Sequence, residues 1–168
     1  MRKRLSTIMA IAAVLGMLFI VGPAMAGDNA GQTVGYEVSP INELAVSGDP
    51  GTLNVSTATA GSEPDADSDN TTTYAITTNC GTDAKKITAV LDTAMPANTT
   101  LKITLAAPEG ATSEGAITLT ASAQDVVTAI DAVASSGHEI SYELDATVAA
   151  GVVASANKTV TLTIVDAS

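Results

Sequence analysis

The sequence predicts an all-β fold, an antiparallel sandwich, and three observations carry that prediction. Apolar and polar residues alternate with period two along most of the chain. Turn signals separate the alternating runs at intervals of roughly 8–12 residues, as in a sandwich of short strands. Threonine fills the polar positions of those runs, and a β-branched polar side chain suits a pleated, half-exposed surface.

The clearest alternation lies at the C-terminal end. Ile140, Tyr142, Leu144 and Ala146 interleave with Ser141, Glu143, Asp145 and Thr147, and Val160, Leu162 and Ile164 interleave with Thr159, Thr161 and Thr163. These two runs are expected to pair antiparallel and to share one dry face. On that reading Leu162→Asp should cost about 3–5 kcal/mol, as at a strongly disrupted core site.

Upstream, residues 27–39 form a polar, flexible lead with one alternating patch, Val34, Tyr36 and Val38, closed by Pro40. Residues 41–46 and 52–55 are strand candidates on either side of the turn Ser47-Gly48-Asp49-Pro50-Gly51. Residues 60–70 read as an acidic loop. Strands follow at 71–78, 85–91 and 100–105, then a loop at 108–115 and a strand at 116–120. Between 122 and 135 the period changes: Val126, Val127, Ile130, Val133 and Ala134 have helical spacing. Ser122 and Asp125 resemble a capping box, and Gly137 a helix stop. A short helix or helical turn is therefore expected near 122–135.

The first residues have a separate purpose. Arg2, Lys3 and Arg4 precede an apolar run over 8–21, and Pro23 and Ala24-Met25-Ala26 follow. That pattern predicts a secretory signal peptide, residues 1–26, cleaved after Ala26. The run is shorter than the roughly 20 residues of a spanning helix, so no membrane span is expected after cleavage. The domain is then 40–168, placed in the periplasm, at the cell surface or outside the cell.

After residue 26 the chain carries 18 acidic residues against four lysines, a formal charge of −14. A nucleic-acid partner is excluded, because no basic face exists to neutralise phosphate. The only aromatics there are Tyr36, Tyr74 and Tyr142, so the core must be aliphatic and stacking platforms are scarce. Cys80 is the lone cysteine, either buried or free to link two chains.

Catalysis is not expected. The single His138 lies beside Glu139 at a strand edge, and no Gly-x-Ser-x-Gly elbow accompanies it. The acidic loop is the candidate metal site: Asp65, Asp67, Asp69 and Asn70 alternate as hard-cation ligands can, and a structural calcium there is the one cofactor to consider. Asn70 stands where the turn glycine of an EF-hand would be, and a solvated acidic loop is the plainer reading. Val34, Tyr36 and Val38 are the candidate strand-exchange residues. A short alternating strand after a polar tail can add to its own sheet, or to the open sheet edge of another copy.

The layout resembles the small exported fimbrial subunits, of spore-coat-U and chaperone–usher pilin type, and more loosely the camelysin-like biofilm fibre proteins. The resemblance rests on the alternating lead, on Thr73-Tyr-Ala-Ile-Thr-Thr78 and Lys86-Ile-Thr-Ala-Val-Leu91, on Tyr142-Glu-Leu-Asp-Ala-Thr-Val148, and on Thr159-Val-Thr-Leu-Thr-Ile164 after an apolar linker. It implies an immunoglobulin-like sandwich and a non-enzymatic surface subunit, structural or adhesive, that polymerises with itself through its N-terminal strand. The alternative expectation is a monomeric extracellular or periplasmic binding module, stabilised by calcium at 63–70.

Overall fold

Two antiparallel sheets face one another in the computed structural model, which describes residues 28–29, 31–79 and 83–167. One sheet has the order β1-β2-β8-β4-β6 and the other β5-β7-β3-β9. The strands are β1 (Asn42–Val46), β2 (Asp67–Thr78), β3 (Lys85–Leu91), β4 (Thr99–Leu105), β5 (Thr112–Ser113), β6 (Ile117–Thr118), β7 (Gln124–Ile130), β8 (Val133–Ala146) and β9 (Val160–Asp166). Among the described residues the only helical element is the 3-10 turn Val148–Ala150, and no helix is long and apolar enough to cross a membrane. The signal segment 1–26 and Cys80 lie outside the described residues.

Only β1 and β2 are consecutive strands of one sheet. From β2 onward each connection passes to the other sheet, so each alternating run contributes its apolar side to one shared core. Ile87 and Ala89 of β3, Ile103 and Leu105 of β4, and Val126, Val127 and Ile130 of β7 are fully buried. Tyr74 and Ile76 of β2 and Ile140 of β8 join the β4 residues in closing the core from the first sheet, opposite β3 and β7. Each such aliphatic side chain gains about 1.5–3 kcal/mol from leaving water. Tyr74 keeps its hydroxyl satisfied by donating to the Ala106 carbonyl at 2.7 Å, and burial pushes its phenol up to about 12.

On the outer face Lys102 stands directly across from Glu143 in the β4–β8 register and donates to Glu143 at 2.6 Å and Asp145 at 2.5 Å. Cross-strand charge pairs of this type help fix register.

Three expectations are corrected here. The helix at 122–135 is two strands, β7 and the start of β8. The β3–β7 ladder shifts register twice, between Lys85 and Ile87 and between Ile87 and Thr88, and Ala129 has φ 53°. Each bulge adds a residue and resets the side-chain phase, so Val126, Val127 and Ile130 all point inward from a strand. Two bulges thus imitate helical spacing. Asp125 caps no helix but pairs with Lys86, and Gly137, φ 78°, sits at a bulge in the β2–β8 ladder.

The two C-terminal runs do not pair with each other. β8 lies between β2 and β4, whereas β9 pairs with β3 in the opposite sheet. The connection over 147–159 carries the chain across, and both dry faces still meet the same core.

The run 52–55 keeps its alternation, with Leu53 and Val55 half-buried and Thr52 and Asn54 exposed, yet it forms no strand. Among the described residues no strand pairs with it.

Smaller differences concern boundaries. β2 begins at Asp67, inside the acidic loop; β5 interrupts 108–115, and β6 is shorter than 116–120.

Candidate functional site

The sheet orders leave β1 and β9 as edge strands, and a groove of about 750 Å³ separates them. In an immunoglobulin arrangement, strands A-B-E-D face C-F-G. Here β1-β2-β8-β4 take the first set, and β3 and β9 take C and F. Among the described residues no strand pairs with the outer edge of β9, the place of G.

That missing neighbour explains the burial of β9. Val160, Leu162 and Ile164 point inward opposite Leu91, Ala89 and Ile87, but all three are only half-buried. Leu44 and Val46 of β1 form the facing wall, and Leu101, Ile140 and Tyr142 the floor. Tyr142 is 8 % exposed; burial first, then the Asp49 carboxylate, holds its phenol above the usual range. A second cleft of about 790 Å³ shares Leu53, Met95 and Leu144 with the first and continues between residues 52–58 and the 147–156 connection.

The acidic run tethers segments that line this second cleft. The Glu63 carboxylate accepts from the Val148 N–H at 2.6 Å, Asp65 from the Thr57 hydroxyl at 3.1 Å, and Asp67 from the Asn54 N–H at 2.6 Å. Asp69 accepts from the Thr71 N–H at 3.1 Å and hydroxyl at 2.8 Å, and lies so close to Gly51 that a Cβ there would meet Oδ2 at 2.9 Å. Carboxylates at period two thus supply the acceptors that a paired strand's carbonyls would offer. Asn70 turns to the other side and donates to Glu139 at 3.3 Å. Asp67, Asp69 and Asn70 are therefore strung along β2 with Asp65 just before it, and among the described residues no three His, Cys, Asp or Glu side chains gather as a metal centre requires.

A pH dependence follows from the Asp69 contacts. The Thr71 side chain, then the Thr71 backbone, holds its carboxyl below the ordinary carboxylate value. A lowered folded value contributes stability above the unfolded carboxylate pKa, lost as pH falls through the folded one. The carboxyl carbon of Asp69, followed by NMR, should titrate below the ordinary carboxylate value, and Thr71→Ala should move it back toward that value. An ordinary titration of Asp69 in the unsubstituted chain would refute this.

The lead has a defined exit. The Asn79 side chain accepts from the Ile41 N–H at 2.8 Å and donates to the Ser39 carbonyl at 2.9 Å, while the Asn79 N–H donates to the Ile41 carbonyl at 3.2 Å. Pro40 between them has a locked φ and pushes Ser39 to an extended conformation. Residues 39–41 therefore continue the line of β1. Residues 31–37 form no helix or strand, and Val34, Tyr36 and Val38 are 78 %, 95 % and 79 % exposed.

His138 is half-buried, with its ring 5.1 Å from that of Tyr74 and its Nε2 against the Ser135 hydroxyl. Among the described residues no carboxylate is bonded to the ring.

The sequence carried Val34, Tyr36, Val38 and the aspartates, but not the groove. Sheet membership makes the groove, and alternation is blind to which sheet a strand joins. The Asn79 clamp left a weak trace in the sequence, an Asn-Cys-Gly run of turn-forming composition that does not name what the amide holds. Comparison with known protein families, with curated proteins and with solved structures finds no match to this chain.

Proposed function

We propose that the chain is an exported, non-enzymatic structural subunit of a surface fibre, and that copies join when residues 34–38 of one enter the β1–β9 groove of the next. One observation carries the reading: among the described residues no strand pairs with the outer edge of β9, and the inward face beside it is apolar and only half-covered. An added strand offers backbone partners to β9 and alternate side chains to the groove. Val34, Tyr36 and Val38 match in number and phase the inward set Val160, Leu162 and Ile164.

Chain direction favours exchange between copies. β1 begins at the Thr78 end of β2, and β9 runs toward that same end. Folding back into its own groove would require the lead to reverse within residues 39–41, which Pro40 and Asn79 hold extended. Entry into a second copy, antiparallel to β9, needs no reversal. It sets the donor's Thr78 end against the acceptor's Asp67 end, and repetition makes an open, head-to-tail chain. The connection at the acceptor's Asp67 end presents Val148 and Val152, 68 % and 103 % exposed, to the arriving copy.

Negative-stain microscopy and size-exclusion chromatography of chains starting at Gly27 and at Pro40 test this. Filaments or ladders are expected from the first and monomers from the second. Identical folded monomers from both would overturn it.

A further inference from the structure

The groove floor contains a polar atom that the fold leaves unserved. Thr72 is 5 % exposed and lines the groove, and its Oγ1 has no hydrogen-bond partner among the described residues. Thr72 stands across from Ile140 in the β2–β8 register, on the floor that Ile140 and Tyr142 share. The apolar side chains that line the same groove, among them Leu44, Leu101, Ile140 and Leu162, offer it nothing. Buried polar groups are normally paired, because a hydroxyl stripped of water and left without a partner is destabilising.

The occupant argued above carries one group that fits. Val34 and Val38 can fill apolar space only. Tyr36, at the centre of the lead, places a hydroxyl at the tip of an apolar ring, and that hydroxyl can both donate and accept. Resting on the strand-addition reading, we infer that Thr72 is the specificity-determining position of the groove: its hydroxyl receives the phenol of Tyr36 from the incoming copy. The groove is thereby selective for a strand with tyrosine at its centre and aliphatic residues two positions to either side. A register slip of two would put valine over Thr72 and leave the hydroxyl orphaned, so the same contact fixes register.

The test is a double-mutant cycle on the chain from Gly27, with Tyr36→Phe, Thr72→Val and both together, read as the critical concentration for assembly. Each single change should raise it roughly tenfold, the worth of about one hydrogen bond. The double variant should be no worse than either single, since both remove the same contact. Thr72→Val should also resist urea better than the unsubstituted chain as a monomer, because the shape is kept and the orphan removed. Assembly unchanged by Tyr36→Phe, or single effects that multiply in the double variant, would overturn the assignment to Thr72 and leave strand addition standing. No assembly by the unsubstituted chain would overturn both. Because Tyr36 lies in the lead, Tyr36→Phe decides the matter even if Thr72→Val fails to fold.

Discussion

Leu162→Asp should act as a chain terminator. Leu162 is half-buried on β9, its side chain turned to the groove and its backbone paired with Ala89, with no second strand beside it among the described residues. In a lone subunit the new carboxylate can still reach water along the open groove. The loss of stability should therefore be nearer the 1–3 kcal/mol of an imperfectly solvated polar group than the larger loss expected if β9 were covered on both sides. In an occupied groove that water is gone, and an unpaired carboxylate against an incoming apolar strand is costly. The lead of the variant is untouched, so it can donate but not accept. Mixed with the unsubstituted chain, it should shorten filaments in proportion to its share while itself remaining folded. Filaments of unchanged length, with the variant incorporated throughout, would mean that β9 does not receive the strand.

Ile103→Ala should cost about 2–5 kcal/mol, the range for deleting a buried aliphatic side chain and leaving a cavity. Ile103 is 0 % exposed and held between Tyr142 of β8 and Ile117 of β6 by the strand register, so neighbours on both sides limit collapse. Leu162→Ala, with water already at one side, should cost less than half as much. Urea unfolding of monomeric protein measures both, and the midpoints suffice if the slopes agree. Equal losses would place Leu162 in the core and deny that the flank between β1 and β9 is open.

Much of the fold was legible in the residues themselves. Period two at Ile87-Ala89-Leu91, Leu101-Ile103-Leu105 and Ile140-Tyr142 predicted strands with one dry face, and those residues are the core. Alternation is a local property, imposed by the pleat, and needs no knowledge of neighbours. Where the pleat is interrupted the same signal misleads: the bulges opposite Ile87 let Val126, Val127 and Ile130 pass for a helix. The aspartates were visible as a pattern, but their use was not. Asp-x-Asp-x-Asp has the same spacing whether its carboxylates meet on a cation or, as here, reach across to the backbone and hydroxyls of residues 51–57.

By itself the sequence determined the strand content, the apolar side of most strands, the acidic, nearly aromatic-free composition and the alternating lead of Val34, Tyr36 and Val38. Only the tertiary structure decided which sheet each strand joins, and hence that β8 and β9 part company, that β1 and β9 become facing edges, and that the buried Thr72 hydroxyl has no partner among the described residues. These are consequences of hydrogen bonds between segments far apart in the chain. A strand's own residues specify which face is dry, whereas its neighbours, and so the open groove, depend on how the whole set of dry faces can be closed over one core.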